Sequence, residues 1–416
     1  MPEIRKEKLL VCDTGLFSHV AEALAPQFER TMYFSEWVRS GFPQEKHSRI
    51  GRGLPNIERV MDVFGALGDA DLVVFPDVVT ANLASYVKTL KPIFGTSKHA
   101  AELELDRWGT RKVIKGLGLP VSSATHIVGT QDLQKYLKKA RDVFVKYGRF
   151  RGDLETFHHE RWFTTEEWFK DTERHLGPSG PEAEFVVEEP IDGVEAAVDA
   201  YSIDGKWPGR VLWGYEEKDC GYIGRVVEFS EVPEPLRIVC QKLSPVLEER
   251  GHRGWISTEC RVSDGIPYLI DPCLRCGSPP SEVQTLLIEN LGDIVVEGSQ
   301  GRVVDPKTKG KFAAELILKS EFAVEHFLAL EIPEKIKDRI KLHNHTVIDG
   351  KDYTVPVGIP EIGAAVGVGE TMDSAIKECL EAAELLKAYG LEYHVAAFED
   401  LRTTIEEGRV NGLEWK

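Results

Sequence analysis

The sequence predicts an α/β protein: an N-terminal part built on a parallel sheet, a larger middle part, and a small α+β part at the C-terminus. Three observations carry this. Short apolar runs at Lys8–Cys12, Thr31–Phe34, Asp71–Phe75 and Pro92–Phe94 alternate with helical patterns at Val20–Leu24, Asn56–Leu67 and Asn82–Leu90. Strands alternating with helices imply crossover connections and parallel pairing. Further on, Ser263-Asp264-Gly265 separates the apolar-rich runs Trp255–Val262 and Pro267–Ile270, and an Asp-Gly pair between two such runs marks an antiparallel hairpin. After Asp305 the pattern changes again: Lys311–Leu318 and Tyr353–Pro356 read as strands of a small sheet, a helix starts at Thr371 or Asp373 and runs to about Leu386, Glu392–Val395 reads as a last strand, and the tail reads as a short acidic helix.

Composition sets outer limits. The chain has 416 residues, 42% hydrophobic and 29% charged, with a formal net charge of −17. That length supports two to four domains with sizeable cores. The negative balance argues against binding a nucleic-acid backbone or an anionic membrane. No run of eighteen apolar residues is present, so no membrane-spanning helix is expected. The seven cysteines are scattered, which fits a reducing, cytoplasmic compartment. Cys273 and Cys276 form a CxxC with no second pair to complete a zinc site.

Candidate residues emerge along the chain. Asp13, Thr14, Gly15, Pro76 and Asp77 stand at the carboxyl ends of two predicted parallel strands, where such sheets bind ligands, although simple turn chemistry accounts for Thr14 and Gly15. Thr96 or Ser97 is placed to cap a helix through Glu104, and Asp106–Leu117 is a second helix ended by Gly118 and Pro120. Lys146 lies near the end of the strand Asp142–Tyr147, ahead of Gly148-Arg149-Phe150-Arg151-Gly152-Asp153. Backbone N–H groups and guanidinium forks suit phosphate oxygens, but the loop lacks the GK[ST] of a P-loop and, taken alone, reads first as an ordinary polar turn. Residues 158–180 hold two helical stretches, Phe185–Glu188 and Ala196–Ser202 are strands, and the charged run Glu216–Gly224 is a loop or lid, with Lys218 and Arg225 as lid cations or solvated charges. Pro233–Arg250 is a helix. The hairpin puts Glu259 beside Asp271, a pair that either shares one Mg²⁺ through hard oxygen ligands or stands as solvated surface charge.

Several segments, taken together, resemble the ATP-grasp superfamily, with the glycinamide ribonucleotide synthetase type and its carboxylase cousins as nearest relatives. Gly95–Pro120 resembles the entry into that family's ATP-binding domain. Asp142–Asp153 resembles its phosphate-loop strand, and Glu188-Glu189-Pro190-Ile191-Asp192-Gly193-Val194-Glu195 its adenine–ribose segment. Asp264–Gly277 resembles its metal strand, and Gly367–Ala375 the turn of its C-terminal domain. The matches run in family order over about residues 95–390.

The resemblance implies a pre-ATP-grasp domain over 1–95, a two-lobed ATP-grasp domain over 96–308 with a lid at about 120–195, and a C-terminal α+β domain over 309–416. It implies ATP and Mg²⁺ as cofactors and ligation of a small-molecule carboxylate to an amine. Glu259 and Asp271 would hold the metal. Arg107, Lys146 and Arg151 would hold phosphates, Glu188, Glu189, Ile191 and Glu195 would surround adenosine, and Arg275 would face the transferred phosphoryl group unless it merely pairs with Glu282 or Asp271. A homodimer is left open. Three departures stand out: Asp271 replaces the family's Glu, Cys273 its Asn, and Arg107 its usual Lys. Sulfur is a poor Mg²⁺ ligand, and Arg does not reproduce lysine geometry. Two alternatives follow: a nucleotide-binding regulatory protein without turnover, and a carboxylase-like enzyme that activates bicarbonate.

Overall fold

The computed structural model describes residues 4–36, 45–148 and 156–415. Their strands form one 13-stranded mixed sheet and two four-stranded antiparallel sheets. In the N-terminal part of the large sheet, Arg5–Asp13 lies between Phe28–Ser35 and Leu72–Phe75, parallel to both, and Ile93–Gly95 extends the same parallel run. Helices Val63–Asp69 and Ala81–Val87 supply the apolar residues on one face of these strands. The other face is covered by helices Ser18–Leu24 and Leu291–Ser299, so a helix distant in sequence completes the first core. Burial on both faces explains why Leu9-Leu10-Val11 and Leu72-Val73-Val74 are continuous apolar runs without alternation.

The parallel part meets the antiparallel part where Arg253 pairs with Gly95. Here Phe94 meets Trp255 edge-on, ring centroids 4.7 Å apart. From that joint the strands Arg253–Ser263, Val194–Ile203, Arg210–Glu217, Gly221–Glu228, Phe312–Lys319, Glu361–Gly369 and Ile340–Leu342 follow in antiparallel order. Helix Glu234–Glu249 buries Leu236, Val239, Leu243 and Leu247 at heptad-like spacing in the core of this half. A separate sheet, Ala124–Val128, Glu184–Glu188, Val143–Tyr147 and Thr156–His159 in that order, carries its own core with helices Thr130–Leu137 and Trp162–Leu176. Among the described residues, no helix is long and apolar enough to cross a membrane.

Several expectations need correction. Asn56–Leu67 is not one helix: Ile57–Arg59 pairs in parallel with Thr31–Tyr33, and the helix begins at Val63, where the Asp62 side chain accepts from the Phe64 N–H. The open edge of strand Phe28–Ser35 wins over the helical pattern. Residues 158–180 hold one α-helix, Trp162–Leu176, after a strand, and the Gly-Pro-rich stretch that follows is a 3-10 helix, Gly177–Glu182. Most of Glu216–Gly224 is a strand pair with a tight turn at residues 218–220, and Arg225 lies in the second strand over the Phe312 ring. Phe312–Lys319 joins the large sheet instead of a small one. Glu392 makes only an isolated bridge to Lys319, so Glu392–Val395 is not a strand.

At the joint, a Cβ on Gly254 would stand 2.9 Å from the Gly95 Cα. Both neighbours are backbone and cannot yield without parting the strands. Gly254→Val should therefore lower the free energy of unfolding by about 1–3 kcal/mol, read from urea denaturation; an unchanged midpoint would show that the close approach is not needed.

Candidate active site

The hairpin forms as expected. Asp264 and Gly265 both adopt positive φ, 49° and 77°, the pair of values a tight I′-type turn requires. Glu259 pairs directly with Asp271, and the register shifts between Glu259 and Cys260. One extra residue, Ile270, accommodates that shift, so the bulge makes Asp271 rather than Ile270 the neighbour of Glu259.

Each carboxylate has its own cation. Arg107 Nη1 lies 3.2 Å from Asp271 Oδ2. Lys218, in the turn after strand Arg210–Glu217, reaches Glu195 at 3.1 Å, Glu216 at 3.5 Å and Glu259 at 3.7 Å. Burial works against the lysine charge, but Glu259, Glu216 and Glu195 outweigh it and hold its pKa far above the usual range. Burial pushes the Glu259 carboxyl up, opposed by Lys218 and reinforced by Asp271 and Glu195. Glu216 is pushed up by burial as well, with Glu259 and Glu195 adding to it. Cys273 donates its S–H to Glu259 Oε1 at 3.2 Å, and burial keeps that thiol protonated. The departure from Asn therefore leaves a hydrogen-bond donor beside the carboxylate. The Glu259, Asp271 and Cys273 ligand atoms lie within 4.8 Å of one another. Two hard carboxylates with further acids around them suit Mg²⁺; the thiol does not add to that set.

A cleft opens beside the hairpin, lined by Arg107, Arg111, Lys146, Glu188, Leu269 and Asp271. Lys146 Nζ lies 3.2 Å from Glu188 Oε2. Arg111 pairs with the other Glu188 oxygen and also bonds the Ser122 carbonyl. The Arg107 amide donates to the Gly148 carbonyl at 3.1 Å, fixing the end of the Lys146 strand to helix Arg107–Gly116. Ile114, Val121 and Leu269 add apolar wall. Glu189 is exposed and its N–H donates to the Ser123 carbonyl, so its carbonyl is what remains to offer a base. The Ile191 carbonyl accepts from Arg261.

The structure thus gathers Arg107, Lys146, Glu188 and Asp271 in one cleft, and Glu195 with Glu259 in the adjoining recess. Glu195 pairs with Lys218 instead of standing beside Lys146 and Glu188. Arg151 lies outside the described residues. Arg275 pairs with neither Glu282 nor Asp271: its Nε donates to Glu104 Oε1 at 2.8 Å, while Glu104 Oε2 accepts the Leu274 N–H at 2.7 Å. Sequence reasoning missed Arg111 and the anchoring role of Glu104. The spacing Arg107–Arg111 on one helix was the available signal, since residues four apart share a face.

No family model matches the chain. A phosphoribosylamine–glycine ligase of Thermotoga maritima is 27% identical over 150 residues, a stretch covering 35% of this chain and 36% of that protein. A crystal structure of phosphoribosylamine–glycine ligase from Thermotoga maritima superposes with a TM-score of 0.71 at 19% identity, covering 93% of this chain and 99% of that one. The biotin carboxylase domain of Hydrogenobacter thermophilus 2-oxoglutarate carboxylase, a dimer with MgADP, ADP and bicarbonate, gives a TM-score of 0.64 at 11% identity, covering 96% and 99%. The chain has the ATP-grasp fold. The likeness extends over nearly the whole length of both structures.

Asp199, buried and bonded by the Tyr222 hydroxyl at 2.7 Å, is pushed up to about 7, by burial above all. A carboxyl raised on folding gives stability that is complete below its unfolded pKa and is lost as pH rises through the folded one. Asp199's contribution to the unfolding free energy should fall as pH rises from about 4 to 7, and Asp199→Asn should remove a decline on the order of 4 kcal/mol across that range. Urea unfolding across this pH range reads the slope; identical slopes in both proteins would contradict it.

Proposed function

We propose that this protein is an ATP-dependent ligase that joins a small-molecule carboxylate to an amine. The observation that carries this reading is the cleft itself: Lys146, Arg111 and Arg107 line it together with Asp271, and Glu259 stands opposite Asp271 in the adjoining recess. Such a site positions a polyphosphate between fixed cations and a carboxylate pair. Glu259 and Asp271 would hold Mg²⁺, which when bound neutralises phosphate charge. Lys146, Arg111 and Arg107 would exchange their carboxylate partners for phosphate oxygens. Arg151 remains a further phosphate contact by its position in the sequence. The Glu189 carbonyl and the Ile191 amide would read adenine against the apolar wall. Glu188 would orient Lys146 and Arg111, and Glu195 would hold Lys218 over Glu259.

The substrate carboxylate oxygen attacks the γ-phosphorus. The bond to the β–γ bridging oxygen breaks, and ADP leaves with that electron pair. The amine nitrogen then attacks the acyl carbon, phosphate departs with the C–O electrons, and the nitrogen gives up a proton. Arg275, held by Glu104, would face the charge that develops in both steps. No enzyme nucleophile is required; positioning and charge neutralisation supply the rate. In this reading residues 1–95, 96–308 and 309–416 are the three domains, and the four-stranded sheet carrying Lys146 and Glu188 is the lid.

A second reading, a nucleotide-binding protein without turnover, is favoured by Cys273, which offers a thiol where the family has an amide oxygen. Two substitutions separate the readings. Asp271→Asn should reduce ADP formation with a pool of carboxylic acids and amines by on the order of 10²-fold, with ATP binding weakened at most modestly in calorimetry. Turnover untouched by this change would remove the hairpin from the mechanism. Wild-type protein that binds ATP but forms no ADP, with turnover appearing in Cys273→Asn, would establish the second reading.

Arg111→Met should weaken ATP binding about tenfold, as loss of one charge-assisted contact implies. Calorimetric affinity equal to wild type would assign Arg111 to Glu188 alone.

A further inference from the structure

Away from the cleft, a buried trio joins three distant parts of the chain. His19 lies in helix Ser18–Leu24, Glu282 in helix Ser281–Leu287, and His343 in the link between strands Ile340–Leu342 and His345–Ile348. Their exposures are 1%, 0% and 1%. One ligand atom from each lies within 4.8 Å of the other two.

The hydrogen bonds around the trio are incomplete in a particular way. His343 Nε2 donates to Glu282 Oε1 at 2.6 Å, and the Ser278 and Ser281 hydroxyls donate to the same carboxylate at 2.8 and 3.1 Å. Ser281 has one proton and gives it to Glu282. In its 3.1 Å contact with His19 Nε2 the imidazole must therefore be the donor. His19 Nδ1 is then a bare lone pair, buried, with no hydrogen-bond partner among the described residues, whereas His343 Nδ1 makes no hydrogen bond but has Glu361 Oε1 at 3.4 Å. Nearby His345 shows the contrast: both of its nitrogens meet carboxylates, Glu22 at 2.9 Å and Asp352 at 3.0 Å. Leaving a buried acceptor unpaired costs about 1–3 kcal/mol.

We propose that His19, Glu282 and His343 bind a Zn²⁺-type transition-metal ion, at a site distinct from Glu259 and Asp271. Two imidazoles and a carboxylate are a donor set for zinc and not for Mg²⁺. Glu361 Oε1 lies 3.4 Å from His343 Nδ1, where a carboxylate commonly orients a metal-bound histidine through its second nitrogen. A water supplies a fourth position. Metal–ligand bonds of about 2.0–2.2 Å set tetrahedral ligand atoms about 3.4 Å apart, so His343 Nε2 and Glu282 Oε1, now 2.6 Å apart, must part to admit the ion. The proton between His343 and Glu282 leaves as the ion enters. Enclosure on all sides makes this a structural ion, clamping the first helix and the link near the C-terminal strands to the segment that follows the hairpin.

The test uses the full-length protein stripped with a chelator and titrated with Co²⁺ in excess Mg²⁺. One equivalent should give the intense visible absorption of a four-coordinate site, Zn²⁺ should displace it, and Zn²⁺ should raise the Tm. His343→Gln and Glu282→Gln should weaken Co²⁺ binding at least ~100-fold, while Asp271→Asn keeps it intact. Wild-type protein with no such absorption and no Zn²⁺-dependent Tm shift overturns the proposal and leaves a hydrogen-bonded clamp. So does absorption that survives His343→Gln but is lost in Asp271→Asn. Should the trio variants not fold, the wild-type titration decides alone.

Discussion

Two carboxylates set directly opposite on an antiparallel pair repel one another, and Glu259 and Asp271 are held in that arrangement by register. A destabilising pair of this kind persists only if its surroundings oppose the repulsion. Arg107 arrives from a helix and Lys218 from a strand turn, so each carboxylate is compensated from a different element. The cost is concentrated where a cation of higher charge would relieve it. Much of the surrounding architecture follows from this single constraint. The bulge at Ile270 and the buried thiol of Cys273 both fix side chains at this pair, and Glu104 anchors Arg275 just beyond it in the chain.

The large sheet gives that cluster its frame. The strand bearing Glu259 also carries Arg253, whose pairing with Gly95 connects the antiparallel strands to the parallel ones. Residues at the carboxyl ends of the parallel strands are thereby tied to the same frame. The Cys276 amide bonds the Pro76 carbonyl, and Asp13 accepts from the Tyr33 hydroxyl.

Much of this was legible in the sequence. The buried runs of the N-terminal sheet, the Asp264-Gly265 turn and the opposition of Glu259 to Asp271 follow from local chemistry, and local chemistry prevailed. What failed was decided by long-range pairing. Ile57–Arg59 looks helical by period, yet an open strand edge captured it. Residues 216–224 look like a charged loop, yet two strands pair through them and only the turn at 218–220 stays outside the ladder. Arg275 was expected to face the transferred phosphoryl group, with Glu282 or Asp271 as the alternative ion-pair partners; the partner it has, Glu104, comes from another element. The trio of His19, Glu282 and His343 has no sequence signature, since each residue comes from a different part of the chain.

The pairing of Lys146 and Arg111 with Glu188 has a further consequence. An exposed cationic pocket gathers mobile anions from solution, and an incoming polyphosphate gains by releasing them. Here the neutralising anion is part of the protein and stays behind when displaced. Nucleotide affinity at this site should depend only weakly on ionic strength, because little bulk salt is liberated in the exchange.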